Sequence, residues 1–367
     1  VRVAIMTAGS RGDAAPYTGL GRGLHRNSTG IGRLARMVGM TRSLVERMTD
    51  DLVAAAGSAD VLLLSSSLGP LGHAVVEGHG LPSMGVYLQP LSPKREFAPP
   101  VTGTRSLGSV GNRLAGRAVD VAVDQIFADA TRALRTRLGL PPLGSRAARR
   151  ARERRDWQVH HGFSPLVVPR PRDWRPGLGV AGYWWPYDQD RQLPDELRNF
   201  LDEGPPPVFF GLGSATVPDA QRLGEEVVRA LRAAGVRGVV QRGWAGLSVT
   251  GDDMFTVDEV PHAALFPRMA AVVHHAGAGT TGATLRAGVP AVPVPIQFDE
   301  AFWAARLVSL GVAPAAVPLR GLTADALGAA VARAVTDPAH TARARKLADR
   351  LGGEDGVRPV LTAVDRL

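Results

Sequence analysis

The sequence predicts an α/β protein built of two Rossmann-like domains. Its 367 residues are too many for one ordinary core and comfortable as two. Short apolar strands alternate with stretches of helical spacing, the rhythm of a parallel sheet. That rhythm restarts after residues 165–207, which are rich in Pro, Gly and aromatics (Trp174, Tyr183, Trp184, Trp185, Tyr187). A composition break of this kind reads as an interdomain linker, placing the domains at residues 1–188 and 189–367.

Each element follows in order. Residues 1–7 form an apolar, β-branched run that ends in Ala8-Gly9-Ser10-Arg11-Gly12-Asp13, and helical spacing begins at Tyr17: a strand, a glycine turn and a helix N-terminus. Helical spacing returns over 32–56, followed by a buried strand at 61–64, a helix over 72–79 and a strand over 83–88. Residues 90–100 read as a loop at the carboxyl edge of a strand, where α/β sheets place ligands, and 107–138 as one long amphipathic helical region. Beyond the break, strands are expected at 208–210, 238–241, near Phe255, at 271–275 and 292–294, and helices over 219–234, 262–269, 280–287, 302–310 and 324–335.

Composition excludes several classes. Apolar residues make up 45% and charged residues 21%, ordinary for a globular protein, and no apolar run approaches the ~18 residues of a spanning helix. The N-terminus lacks the basic region and long apolar segment of a signal peptide, so it reads as a first strand and the expected location is cytoplasmic. Without cysteine there is no disulfide framework, thiol catalysis or Cys-ligated zinc. The net charge of +9 is carried by an arginine bias, Lys94 and Lys346 being the only lysines, and nucleic acid is not an expected partner. The one dense basic run, residues 146–155, reads as a solvated helix face. The histidines are scattered and no carboxylates are spaced for Mg²⁺, so neither a metal nor a cofactor is expected; a homodimer is left open.

The strongest local feature is His274-His275-Ala276-Gly277-Ala278-Gly279-Thr280-Thr281, opening a helix directly after a buried strand. Glycines allow close approach of backbone N–H groups, and a helix N-terminus favours negative charge, so the segment suits a phosphate or diphosphate. It lacks the lysine of a P-loop and the third glycine of a dinucleotide fingerprint, which weakens ATPase and dehydrogenase readings. A packed histidine at a strand end is the plain alternative.

This stretch, with Ala287-Gly288-Val289-Pro290 and Pro295-Ile296-Gln297-Phe298-Asp299-Glu300-Ala301-Phe302-Trp303-Ala304, resembles the donor-binding signature of family 1 glycosyltransferases, above all the natural-product and sterol enzymes. Further ordered motifs extend the resemblance over nearly the whole chain: Ser10-Arg11-Gly12-Asp13 with Pro16, Gly211-Leu212-Gly213-Ser214, Arg242-Gly243-Trp244, and Glu259-Val260-Pro261-His262-Ala263-Ala264-Leu265-Phe266-Pro267. It implies a GT-B fold, with an acceptor domain over 1–188 and a nucleotide-sugar donor domain over 189–367.

What the resemblance implies can be placed on this chain. Ser214, His275, Ala278, Gly279 and Thr280 would hold the donor diphosphate, Trp244 and Val260 the nucleoside, and Asp299 and Glu300 the donor sugar. The acidic pair is commonly Asp-Gln in similar enzymes, so Glu300 is a departure: an ionised carboxylate accepts but cannot donate. Helix capping by these two residues is the structural alternative. Asp13 matches the candidate general base, which would take the acceptor proton as its heteroatom attacks the anomeric carbon; an N-cap is the alternative role. Ser10, Gly12, His73 and Gln89 are candidates on the acceptor side, His79 is a secondary candidate for a base, and Arg286 is read as structural.

Where similar enzymes carry another strand and helix, Leu24-His25-Arg26 here runs straight into Asn27-Ser28-Thr29. The expected activity is inverting transfer of a sugar or deoxysugar from a dTDP- or UDP-sugar to a small hydrophobic natural-product aglycone. The alternatives are a nucleotide-sugar epimerase or hydrolase of the same architecture, and a non-catalytic auxiliary partner of a glycosyltransferase.

Overall fold

A computed structural model describes residues 2–7, 42–186 and 192–367. Its strands and helices are, in chain order, β1 (Val3–Met6), α1 (Arg42–Ala56), β2 (Val61–Leu64), α2 (Gly69–His79), β3 (Ser83–Tyr87), α3 (Gly108–Ile126), α4 (Ala128–Arg137), α5 (Ser145–Arg154), β4 (Val159–His161) and β5 (Leu178–Val180). Then follow α6 (Asp195–Asp202), β6 (Val208–Gly211), α7 (Ala220–Ala233), β7 (Gly238–Gln241), β8 (Met254–Val257), α8 (His262–Leu265), β9 (Ala271–His274), α9 (Ala278–Ala287) and β10 (Ala291–Pro293). The last helices are α10 (Glu300–Ser309), α11 (Ala324–Thr336), α12 (Pro338–Gly352) and α13 (Arg358–Val364).

The chain divides into two compact units: Val1–Pro99, Arg105–Tyr187 and Asp355–Leu367 form the first, Pro100–Thr104 and Asp188–Glu354 the second. The sequence placed everything after residue 188 in one domain; the C-terminal segment, α13 included, instead belongs to the first unit. Part of the reason is visible at Trp184, whose buried indole N–H donates to the Gly356 carbonyl at 2.8 Å. A Cβ on Gly356 would lie 2.4 Å from the Tyr183 carbonyl oxygen, so only glycine lets the returning chain come this close. Trp174, Tyr183 and Trp184 are all buried. The aromatic stretch read as linker is therefore largely core, because rings of this size seek burial and their N–H groups seek a partner. Trp184→Phe keeps a ring but orphans the Gly356 carbonyl, and denaturant unfolding is expected to show a loss of about 1–3 kcal/mol.

The first sheet is parallel in the order β1-β2-β3-β4-β5 among the described residues. Val61–Leu64 is buried throughout, as an unbroken apolar run in a doubly covered parallel sheet should be. The expected single helix over 107–138 is two, α3 and α4, broken at Phe127, whose backbone (φ −97°, ψ 2°) leaves the helical range while its buried ring packs with Leu68, Leu71 and Leu134. Between α2 and α4, Arg135 grips Glu77 through two hydrogen bonds of 2.6 and 3.0 Å, holding that carboxyl below its usual range.

The second sheet, also parallel, runs β10-β9-β6-β7-β8. From β6 the chain adds β7 and β8 on one side, then returns to place β9 on the other. The order thus reverses between β6 and β9, paired from Val208↔Ala271 to Gly211↔His274, and such a reversal opens a crevice at the carboxyl ends of the two strands. Val208, Phe209 and Phe210 are buried on both faces, at roughly 1.5–3 kcal/mol per large apolar side chain. Helix α7 starts at Asp219, whose carboxylate accepts from the Arg222 N–H at 2.9 Å, and buries Leu223, Val227, Ala230 and Leu231. Helix α11 packs against it where Gly328 meets the backbone of Ala230.

Candidate donor site in the second unit

Three turns converge on the crevice between β6 and β9. The first follows β6: Gly213 has φ +58°, a left-handed conformation that glycine adopts without cost, and its carbonyl accepts from the Trp244 N–H at 3.1 Å. That bond joins the second turn, Arg242-Gly243-Trp244, to the first. Gly243 also has a positive φ of +52°, and a Cβ there would lie 2.6 Å from the Gly213 oxygen. Ser214 lies half-buried on the first turn, and the Trp244 indole on the second is 50% exposed, a large apolar face open to a ligand.

The third turn links β9 to α9. A Cβ on Gly277 would lie 2.4 Å from His275 Nε2, and one on Gly213 would lie 3.0 Å from His275 Cε1. The His275 imidazole is thus seated between two glycines from different turns. Sequence reasoning took the glycines of the 274–281 segment as openings for a phosphate; the missing side chains of Gly277 and Gly213 first make room for the ring. Burial pushes His275 down to about 4, so the ring is neutral at pH 7, and its buried Nδ1 has no hydrogen-bond partner. An unsatisfied buried nitrogen of this kind is costly without a ligand.

The preceding residue makes the turn rigid. His274 is fully buried, and its Nδ1 accepts from the Ala276 N–H at 3.1 Å. Ala276 itself has φ +65°, a left-handed conformation costing a non-glycine residue on the order of 1–2 kcal/mol. With Gly277 as N-cap and no side chain capping the helix, the N–H groups of Ala278, Gly279 and Thr280 open α9. The first turn of a ten-residue helix directs these donors and the positive end of its dipole at the crevice.

The acidic pair is placed by α10. Asp299 is the N-cap residue, with its Oδ2 accepting from the indole N–H of the buried Trp303 at 2.8 Å. Glu300 is 8% exposed, and its Oε2 accepts from the backbone N–H groups of Ile296 and Gln297 at 2.6 and 2.8 Å. It folds back to hold its own loop, which differs from the helix capping weighed as the alternative: no side chain caps this helix. Phe298, just before the pair, has φ +51° and is 48% exposed, a second strained residue in a loop at the carboxyl edge of this sheet.

Burial raises Glu300 to about 7, with Asp299 adding to the effect and the two N–H groups opposing it. A carboxyl whose folded value lies above its unfolded one binds its proton more tightly in the folded state. Stability therefore falls as pH rises from the unfolded carboxylate range to about 7. Glu300→Gln should flatten that slope, so Tm measured from pH 4.5 to 8 should fall with pH more steeply in the wild type than in the variant.

Of the remaining sequence candidates, Val260 is 4% exposed in a cluster with Leu265 and Phe266, so its side chain serves the core. Asp13, Ser10 and Gly12 lie outside the described residues. In the first unit His73, on α2, stands edge-on to Trp157 with ring centroids 4.6 Å apart. Gln89, just after β3, accepts from the Ser66 hydroxyl at 3.3 Å, and His79 holds the Val75 carbonyl at 3.0 Å. Sequence reasoning missed Trp303 as the anchor of Asp299, although a Trp four residues into a helix from an Asp is a readable pairing. Among the described residues no three His, Asp or Glu side chains come together as a metal site, and no helix is long and apolar enough to cross a membrane.

Solved structures decide the fold. Superposition on the glycosyltransferase of kitacinnamycin covers 99% of this chain and 98% of that one, with a TM-score of 0.67 at 19% identity. The calicheamicin glycosyltransferase CalG4 is matched over 100% and 97%, at 0.65 and 16%. The chain has the GT-B fold. In its second half, residues 219–360 match the profile of the erythromycin biosynthesis protein CIII-like C-terminal domain.

Among curated relatives, O-mycaminosyltylonolide 6-deoxyallosyltransferase of Streptomyces fradiae is 43% identical over 234 residues, covering 63% of this chain and 54% of the relative. Vancomycin aglycone glucosyltransferase of Amycolatopsis orientalis is 42% identical over 50% of this chain and 45% of its own. A sterol 3-beta-glucosyltransferase of Arabidopsis thaliana is 36% identical over 56% and 34%. The chain spans about half or less of the length of these relatives.

Proposed function

We propose that this protein transfers a sugar, with inversion, from a nucleoside diphosphate to a small natural-product acceptor, without a metal or cofactor. The observation that carries the reading is the seat of His275: a neutral imidazole with an unsatisfied buried nitrogen, at a helix N-terminus, beside an exposed indole. In this reading the diphosphate receives hydrogen bonds from His275, the Ser214 hydroxyl and the N–H groups of Ala278, Gly279 and Thr280. Trp244 stacks on the nucleobase, with Val260 behind it as packing. Asp299 and Glu300 hold the sugar, Glu300 through whatever its loop contacts leave open.

The chemistry asks for two things. The acceptor hydroxyl must lose a proton as its oxygen attacks the anomeric carbon, and Asp13 is the proposed base. The departing diphosphate gains negative charge, which fixed N–H donors and a helix dipole stabilise where it forms; such donors contribute about 10²–10³-fold each in other enzymes. A thymidine or uridine nucleotide is proposed as the donor. VinC has been solved with dTDP and SsfS6 with thymidine diphosphate, which supports thymidine first. The acceptor class follows from relatives named for tylonolide, vancomycin aglycone and sterol substrates.

The test is incubation with dTDP- and UDP-hexoses and an aglycone panel, following free nucleotide and product mass together. Acceptor plus one hexose, in step with nucleotide release, is the expected result. Nucleotide release with water as the only acceptor would make the protein a hydrolase.

A further inference from the structure

The first unit contains a cavity of about 1450 Å³ between the β3–β5 side of its sheet and helices α2, α3, α4 and α5. Its lining is strongly one-sided in charge: nine arginines against four carboxylates. Three of those carboxylates are already engaged, Asp120 and Asp124 by Arg149, and Asp173 by Arg113 at 3.5 Å. Arg152 is different. It lies half-buried on α5, the face of the basic run that sequence reasoning took as solvated, and has no hydrogen-bond or ion-pair partner among the described residues. Asp120 and Glu153 act on it only through space, and burial still outweighs them, so a cation held partly out of water without a direct partner gains from an anion that reaches it.

Besides the charged Asp120, Arg149 and Glu153, the cavity wall near it carries neutral, flat groups. Burial drives the His73 imidazole well below its usual range and raises the Tyr87 phenol to about 12, so both are uncharged at pH 7. Trp157 stands against His73, and all three line the cavity. Val121 and Leu143, 49% and 40% exposed, also belong to its lining. Inorganic phosphate would use the arginine and waste these surfaces; a neutral ring system would use the surfaces and leave the arginine unpaired.

We propose that this cavity binds a small ring-bearing organic acid, with Arg152 pairing the acidic group and His73, Tyr87 and Trp157 packing the ring. Resting on the transferase reading above, this makes the acceptor an acidic molecule, where sequence reasoning expected a small hydrophobic aglycone. Guanidinium geometry suits a carboxylate through two parallel hydrogen bonds, and aromatic faces give the ring its contact area.

The probe is 1-naphthoate, titrated by calorimetry against the whole protein without nucleotide, with neutral 1-naphthamide as its partner. Naphthoate is expected to bind at least tenfold more tightly than naphthamide. Arg152→Met should remove that preference while Arg152→Lys keeps part of it, and dTDP or UDP affinity should be unchanged in both. Equal affinity for the two probes, no binding of naphthoate, or a preference that survives Arg152→Met would overturn the proposal. Should Arg152→Met unfold, the wild-type comparison and Arg152→Lys still decide. Failure of the protein to bind any nucleotide while naphthoate binds would sink the transferase reading and leave this site standing.

Discussion

Asp13→Asn is expected to lower kcat by about 10²–10⁴-fold, the usual contribution of a positioned general base, while nucleotide affinity stays near the wild-type value. The amide is close to isosteric with the carboxylate and keeps its hydrogen-bonding reach, but it cannot accept the acceptor's proton. An N-cap role for Asp13 would give another pattern, since Asn caps a helix as well as Asp and turnover would be preserved. Rates measured at saturating donor and acceptor separate the two. Wild-type turnover in the Asn variant would remove Asp13 from the mechanism.

His275→Ala should weaken dTDP or UDP binding by about ten- to a hundredfold, the range of a lost hydrogen bond to a charged group. The loss should be accompanied by little change in fold, because the ring occupies space bounded by Gly213 and Gly277 and not the main core. Since burial sets His275 near 4, its charge does not change between pH 6 and 8, and its contribution to binding should be flat across that range. A step in affinity near pH 6.5 in the wild type, absent from the variant, would mean that the ring binds as a cation.

The sheets were legible because parallel strands covered on both faces must be short and continuously apolar, as at Val61–Leu64, Val208–Gly211 and Ala271–His274. The strand–turn–helix geometry at residues 271–287 was legible because a glycine-flanked helix start directly after an apolar strand is a local pattern. What escaped depended on partners distant in sequence. Trp184 reads as linker until Gly356 returns to accept its N–H. Arg152 reads as one charge among many until α5 covers the sheet and half-buries it in a cavity wall shared with His73, Tyr87 and Trp157. The loop contacts of Glu300 escaped because only the folded loop turns two N–H groups onto its Oε2. The short strands Val159–His161 and Leu178–Val180 were missed because three residues carry no usable period.

The central claim is that the crevice between β6 and β9 takes a nucleoside diphosphate through its helix, histidine and serine donors, without a metal ion. It is tested most directly by calorimetric titration of the purified protein with dTDP and UDP separately, in the presence of EDTA. The account predicts saturable one-site binding of at least one of them, unchanged by added Mg²⁺. Binding that appears only with the cation, or no binding of either nucleotide, would contradict it.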